Sequence, residues 1–110
     1  MFYEYRQNNT FGTWVKNADV DIWVIIEADN VEQANERAES VGLYFDGCSD
    51  AIDCPCCGDR WSPAWDQDEG DKVPSTYGRP VGKTHKRKQK NDDIVIHYEK
   101  GDRLYADSEK

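Results

Sequence analysis

The sequence predicts an α+β fold: a small mixed or antiparallel sheet with one helix packed on it, plus a long irregular loop region. Three observations predict this class. Short segments of strand character lie near both ends of the chain, one amphipathic segment follows the longest apolar run, and the middle of the chain is almost free of aliphatic residues. Because 110 residues suit one domain, we divide the chain into strands and helix at 1–45, a cysteine knuckle and charged loops at 46–92, and a closing β-hairpin at 93–107.

The first part of the chain predicts most of the sheet. Residues 2–6 alternate aromatic and charged side chains, which is typical of a strand with one buried face. A turn is predicted at 8–12, and residues 13–16 and 20–27 are predicted to be extended. Because Ile22–Ile26 is apolar on both faces, we expect it to form the central strand.

One helix is predicted between Asp29 and Gly42. Asp29 has the character of an N-cap, Glu32 lies three residues later, and Gly42 is suited to end a helix. We expect Leu43–Phe45 to return as a short strand, which would complete a strand, helix, strand unit. The apolar face of the helix consists of Val31, Ala34, Ala38 and Val41.

The loop region and the chain end have opposite characters. Residues 46–92 contain few aliphatic side chains and many Gly, Pro, Asp, Ser and Thr residues, so another interaction must order them. Residues 94–98 and 103–106 regain strand character around a turn at 100–102. We expect this hairpin to close the sheet.

Composition excludes several classes of protein. The formal net charge is 14 minus 22, or -8, and this charge repels a long nucleic acid. The chain is also too short for most hydrolase and transferase folds, so we expect no enzyme. No apolar run is long enough for a membrane span, and the first residues lack the pattern of a secretory signal. We therefore expect a cytoplasmic protein with reduced thiols and no membrane partner.

The segment Cys54–Gly58 contains the pattern C-P-x-C-G, in which two thiolates three residues apart converge on one metal ion. Thiolate-rich zinc is a poor Lewis acid and a good structural staple, so the pattern predicts a structural zinc site and a zinc-knuckle loop region. A histidine from the basic end of the loop region would fix that end to the knuckle. The preferred ligands are therefore Cys48, Cys54, Cys57 and His85.

Other ligand sources stay open. Cys56, His97 or a second chain are alternatives, and so is a turn of reduced thiols without metal. His97 lies in an apolar strand, where a buried, hydrogen-bonded imidazole is the commoner arrangement. We identify no catalytic residue.

Charge is unevenly distributed along the loop region. Six of the 14 basic residues lie between positions 79 and 90, and eight acids accompany Arg60 between positions 46 and 71. These two blocks are able to pair within one chain, to pair between copies in a homo-oligomer, or to leave the basic block for an anionic ligand. The basic residues are Arg79, Lys83, Lys86, Arg87, Lys88 and Lys90.

The segment Gly78–Thr84 suits a phosphate group. It is one residue short of the Walker spacing and follows no apolar strand, so nucleotide hydrolysis is not expected. Its glycine N–H groups and its cationic side chains are able to donate hydrogen bonds to a phosphate group, and nearby aromatic rings are able to stack on a base. The alternatives are a solvated mobile loop and, for Trp61–Trp65, a protein-contact patch or a lid over the sheet. The predicted ligand-binding residues are Trp61, Trp65, Tyr77, Arg79, Lys83, Thr84, Lys86 and Arg87.

These motifs resemble those of a family of short uncharacterised proteins, a domain of unknown function, encoded by tailed bacteriophages. The likeness rests on Met1–Asn8, on Ile25–Asn30 with Ala34, on Tyr44–Gly47 and on Ile52–Trp61, and so on roughly the first 60 residues. The resemblance implies a phage origin and transfers no catalytic residue.

The function expected from the sequence is stoichiometric binding. By analogy with small phage accessory proteins, we expect a non-enzymatic counter-defence factor that sequesters a nucleotide immune signal or masks a host defence protein. The alternative is a zinc-stapled structural or adaptor protein that mediates protein–protein contacts. An acidic DNA mimic fits less well, because the acids of the loop region lack regular spacing.

Overall fold

The computed structural model describes residues 1–108. It contains one α-helix and six strands, four of which form the main sheet while the other two form a small separate hairpin. The elements in chain order are β1 (Phe2–Arg6), β2 (Trp23–Glu27), α1 (Val31–Ser40), β3 (Ser75–Thr76), β4 (Arg79–Pro80), β5 (Ile94–His97) and β6 (Arg103–Ala106).

The main sheet is mixed, with the order β1-β2-β5-β6. β2 pairs with β1 antiparallel and with β5 parallel, and β5 pairs with β6 antiparallel. Val24, Ile25 and Ile26 have no exposed surface, which confirms that this segment is the central strand. The predicted hairpin at the chain end is also confirmed, and it closes the sheet directly beside β2.

Two different layers cover the two faces of the sheet. On one face, Ala34 and Ala38 of α1 pack in an apolar core with side chains that include Val24 and Val95. On the other face, the hairpin β3–β4 and its neighbours lie over a core that includes Trp23. The core of this second face consists of Phe2, Trp23, Ile25, Ile94, Ile96 and Ala106.

The helix begins one residue later than the sequence predicts. Asn30, and not Asp29, is the N-cap: its Oδ1 accepts the N–H of Gln33 at 2.9 Å. Gln33 Oε1 in turn accepts the N–H of Asp29 at 3.4 Å. The cap therefore forms one position downstream of the prediction: Asn30 caps the N–H of Gln33, and the Gln33 side chain accepts the N–H of the residue before the cap. The predicted end of the helix near Gly42 is confirmed.

Two predicted extended segments do not form strands. Leu43 donates its N–H to Ala38 O at 3.0 Å, so it closes the helix end, and its buried side chain joins the core under α1. In the segment 13–16, the N–H of Val15 bonds to Gln7 Oε1 at 2.7 Å. In both segments a local or side-chain acceptor replaces the neighbouring strand that a ladder requires.

The ten residues of α1 are too few to cross a lipid bilayer. No other helix in residues 1–108 is long and apolar enough to do so.

Candidate functional site

The basic segment, residues 83–92, lies along the outer edge of β6. His85 and Tyr105 exchange backbone hydrogen bonds of 3.0 and 2.9 Å. His85 Nε2 is 2.6 Å from Asp92 Oδ2, and the same oxygen accepts the N–H of Gln89 at 2.6 Å. Since Asp92 is buried, its carboxylate ties the end of the segment back to His85 and Gln89.

A second buried carboxylate, Asp21, holds the middle of the basic segment. Lys88 Nζ is 2.5 Å from Asp21 Oδ2, and Lys16 Nζ is 3.5 Å from Oδ1. Lys88 also donates to Asn17 O at 3.1 Å. One cation of the basic block is therefore structural. Within residues 1–108, no ion pair joins the basic block to the acidic block at 46–71.

The basic segment and the chain end line a groove of about 440 Å³, which we call the basic groove. Lys83 and Lys90 line it, are exposed, and form no ion pair in the described part of the chain. Asp92 and Asp107 are the carboxylates of the groove, and Asp92 is bound to His85. The groove thus offers two ammonium groups that are in no ion pair with residues 1–108, in a volume that is usual for small-ligand sites.

A smaller cavity of about 200 Å³, the hairpin pocket, lies beside the basic groove. Arg79, Gly82 and Ile94 line it, and Asp107 lines both cavities. Because Gly82 of the pocket is followed directly by Lys83 of the groove, the two form one continuous surface. Arg79 is exposed and belongs to no ion pair among residues 1–108. A guanidinium beside an ammonium and a glycine backbone suits a phosphate group.

Tyr77 lies at the tip of the hairpin β3–β4. Its side chain is 74% exposed, and its ring meets the ring of Trp23 almost perpendicularly, with 4.8 Å between centroids. The N–H of Tyr77 donates to Glu4 Oε2 at 2.9 Å. Burial raises the pKa of Glu4, and the negative charges of Asp71 and Asp68 add to that increase while the Tyr77 hydrogen bond opposes it. The hairpin tip is therefore tied to β1 and β2.

The remaining predicted ligand-binding residues lie elsewhere. Trp61 is 1% exposed in the core under α1, so the prediction that it stacks on a base is wrong for this structure. Trp65 is 82% exposed, but it lines a separate depression formed by residues 62–67. Lys86 lines another depression near the turn between β5 and β6. Thr84 is half-buried and Arg87 is exposed, and neither lines the basic groove or the hairpin pocket.

Two of the eight predicted residues therefore line the adjoining cavities, Arg79 and Lys83. Tyr77 lies at the tip of the hairpin that carries Arg79 and lines neither cavity. The sequence places Lys90 in the basic block, but Lys90 is not among the predicted ligand-binding residues. Its proximity to Lys83 depends on the hydrogen bonds of Asp92, which bring the two ends of the segment together. No local pattern marks that arrangement.

The cysteine turn at Cys54–Gly58 forms. Cys54 O accepts the N–H groups of Cys57 and Gly58, both at 3.1 Å, and Gly58 adopts a φ of 88°. Hydrogen bonds from the Cys57 thiol and from the backbone N–H groups of Cys56 and Cys57 lower the pKa of Cys54. Burial and the neighbouring carboxylate of Asp59 raise the pKa of Cys48. The turn thus makes the Cys54 thiol easier to deprotonate than an isolated cysteine, and the Cys48 thiol harder.

Arg60 orders the acidic loop that carries the cysteines. The residue is 5% exposed, and its backbone N–H donates to Asp53 Oδ2 at 2.7 Å. The loop is also bound to the chain after β1, since Cys54 N donates to Thr10 Oγ1 at 2.9 Å. The guanidinium donates to Gln7 Oε1, Thr13 O, Thr10 O and Tyr44 Oη at 2.7, 2.9, 3.2 and 3.2 Å.

The predicted zinc tetrad does not fit this arrangement. The cysteine loop is bound to the chain that follows β1, whereas His85 lies outside β6, the opposite edge strand. Zinc ligands lie about 2.0 to 2.3 Å from one ion, and no three potential metal ligands in residues 1–108 are close enough to share one. His85 is also bound to Asp92.

The other predicted ligands lie closer to one another. Cys48, Cys54 and Cys57 share one loop, but Cys48 Sγ points to Cys54 O, 3.4 Å away. In residues 1–108, no three His, Cys, Asp or Glu side chains are placed to hold a metal. Zinc binding by the cysteines stays a prediction, and its donors would have to come from the loop itself or from outside the chain.

His97 is a buried, hydrogen-bonded imidazole, as the sequence predicts. It is 5% exposed, and its Nε2 lies 2.7 Å from Asp19 O. A carbonyl oxygen only accepts, so Nε2 carries the proton. Burial lowers the pKa of His97.

Comparison with known proteins identifies a family. A family model described as a domain of unknown function (DUF7296) matches residues 1–107. No curated protein and no solved structure matches the chain. The match includes every strand, the helix, the cysteine loop and the basic segment. It confirms the resemblance to an uncharacterised family, while the phage origin stays a prediction. The chain belongs to the family of the domain of unknown function DUF7296.

Proposed function

We propose that this protein binds a small phosphate-bearing ligand in the basic groove and the adjoining hairpin pocket, without chemical conversion of that ligand. The observation that carries the proposal is the position of Lys83 and Lys90 on one groove of about 440 Å³. Arg79 extends the positive surface into the hairpin pocket. Hydrogen bonds between charged partners are roughly twice as strong as neutral ones, so three cations provide useful affinity for a phosphate.

The acidity of the whole chain supports a small ligand over a polymer. A net charge of -8 repels a long polyanion at a distance. This repulsion is screened beyond about 8 Å at physiological salt, so a small anion that enters the groove meets mainly the local cations. The groove size and the charge distribution thus both favour a small anionic ligand over a polymer.

We infer that the biological role is counter-defence during phage infection, by sequestration of a nucleotide immune signal. The likeness of the first 60 or so residues to phage-encoded proteins supports this role. A protein that sequesters a signal must be abundant and tight-binding but needs no catalytic group. A cytoplasmic location in the infected cell follows from the proposal.

A thermal-shift panel tests the binding proposal. Cyclic dinucleotides, ADP-ribose and pyrophosphate would each be added to the full chain. A ligand at a hundred times its Kd adds about 2.7 kcal/mol to the free energy of unfolding, or on the order of 10 °C in Tm for a domain of this size. The Lys83→Gln/Lys90→Gln variant should lose this increase. Lys86→Gln is the matched control, because Lys86 belongs to the same basic block but lines a different depression. An unchanged Tm with every compound would contradict the proposal.

The exposed apolar side chains favour a second candidate function, that of a protein-binding adaptor. Phe11, Ile52 and Trp65 are 62%, 53% and 82% exposed. Exposed aromatic residues beside an acidic loop suit a partner with an apolar pocket and a basic rim. In that case Trp65→Ala would abolish complex formation with a host protein, while nucleotides would leave the Tm of the wild type unchanged. Masking of a host defence protein belongs to this second candidate.

A further inference from the structure

We propose that Tyr77 stacks on the base of the bound ligand, so that the site is specific for a nucleotide and not for any phosphate compound. This inference rests on the proposed function, and it deepens it by naming the ligand class and the residue that recognises it. Four observations carry it: the backbone conformation of Tyr77, its exposure, its support from β1 and β2, and its place beside the hairpin pocket.

The backbone conformation at Tyr77 is unfavourable for an aromatic residue. Tyr77 and Gly78 form the two-residue connection between β3 and β4, with φ values of 51° and 77°. Two consecutive positive φ values are the mark of a type I′ turn, in which Asn, Asp or Gly normally takes the first position. A bulky side chain there is strained. The hairpin would be better served by Asn, so the turn itself does not explain the tyrosine, and strain of this kind is a pointer to function.

The ring is exposed but held in place. With 74% of the side chain exposed, burial does not explain the residue either. The perpendicular contact with Trp23, with 4.8 Å between centroids, leaves at least one face of the Tyr77 ring open. The hydrogen bond to Glu4 fixes the backbone of the turn. An exposed ring that is ordered before binding stacks on a base at low entropic cost.

The turn that carries the ring also adjoins the hairpin pocket. Thr76 and Arg79, which flank the Tyr77–Gly78 turn, both line the hairpin pocket. Trp23, which contacts the Tyr77 ring, is paired in the sheet with Ile94 of the same pocket. A base on Tyr77 would therefore place its phosphate near Arg79 and towards the lysines of the basic groove.

The other two aromatic candidates do not offer this combination. Trp61 is 1% exposed, so its faces are covered by the core. Trp65 is open to solvent, but the depression that it lines is formed by residues 62–67, which include no lysine or arginine. A base on Trp65 would therefore have no neighbouring cation from that depression for its phosphate.

The test is a calorimetric comparison of AMP with ribose 5-phosphate, on the full-length wild type, Tyr77→Asn and Tyr77→Phe. Stacking predicts that the wild type binds AMP more tightly than ribose 5-phosphate by about 5- to 150-fold. Tyr77→Asn should bind both equally, while its unliganded Tm stays at or above that of the wild type because Asn suits the turn. Tyr77→Phe keeps the ring and should retain the preference.

The outcomes separate this inference from the proposed function. If ribose 5-phosphate binds as tightly as AMP and Tyr77→Asn changes neither affinity, stacking is refuted and phosphate binding stands. If a preference for AMP persists in Tyr77→Asn, another residue recognises the base and the inference is also refuted. If neither compound nor pyrophosphate binds to the wild type, the proposed function and the inference fail together.

Discussion

Replacement of Arg60 by methionine should lower the free energy of unfolding by about 3–5 kcal/mol, the usual cost of breaking a buried ion pair. Methionine keeps much of the apolar stem but removes four side-chain hydrogen bonds of 2.7 to 3.2 Å. It also leaves Asp53, which is 3% exposed, without its cation. Each acceptor left unpaired costs about 1–3 kcal/mol. Water that enters the space recovers part of that sum, so the total falls to the range given for a buried pair.

Urea denaturation of the two proteins measures this loss, which corresponds to a shift of the midpoint by roughly 2 M. Arg60→Lys keeps the charge but not the planar fork, so we expect an intermediate loss. Arg87→Met is the matched control at an exposed position. Because Arg60 positions the cysteine loop, Cys48 and Cys54 should also react faster with a thiol reagent in Arg60→Met under native conditions. A loss below about 1 kcal/mol, or one equal to that of Arg87→Met, would refute the role of Arg60 in ordering the loop.

Three further predictions follow from single groups. The pKa of His97 lies below its usual 6.5 because the side chain is buried. Below pH 6.5 the unfolded chain therefore binds more protons than the folded chain, so the Tm should fall as the pH drops from 7 to 5. His97→Gln should make the Tm less dependent on pH in this range. The pKa of Glu4 is raised from 4.5 chiefly by burial, so the stability that this group contributes is lost as pH rises. Glu4→Gln keeps an acceptor for the N–H of Tyr77 and should have a Tm at pH 7 equal to or above that of the wild type. A lower Tm would contradict this prediction. Metal analysis after expression with zinc should find zinc in His85→Gln but not in Cys57→Ser; loss of zinc from His85→Gln, or no zinc in the wild type, would show that the cysteine-loop prediction is wrong.

The sequence is sufficient to predict the elements in which apolar and polar side chains follow a clear periodicity. The continuous apolar run of β2 reflects two covered faces, and the structure confirms this. The alternation in residues 2–6 predicts one covered face; Tyr3 and Tyr5 are buried on it, but Phe2 on the other face is buried as well. The segment Leu43–Phe45 shows the limit of that reasoning. It is apolar enough for a strand, yet it lies where the helix end takes its backbone N–H, and no local pattern reveals that competition.

The site was less predictable because its geometry depends on buried polar groups far apart in sequence. In the sequence Arg60 is a lone cation among acids, whereas in the structure it pairs with Asp53 and binds the chain that follows β1. His85 looked like a metal ligand because it was a histidine in a loop without a core, yet Asp92 supplies its partner. Trp61 and Trp65 are four residues apart, and one is buried while the other is exposed. The composition of such a loop shows that another interaction must order it, whereas only the fold shows which interaction does so.

The most direct test of the proposed binding function is isothermal titration of the full chain with a cyclic dinucleotide at two salt concentrations. We predict saturable binding that weakens as salt increases, since the lysines of the basic groove contact phosphate. Lys83→Gln/Lys90→Gln should lower the affinity by at least tenfold for each lysine, because a hydrogen bond to a charged group contributes about 1.5–3 kcal/mol, and Lys86→Gln should bind as the wild type does. Equal affinity in the double variant and the wild type, or an equal loss in Lys86→Gln, would contradict the assignment of the groove as the binding site.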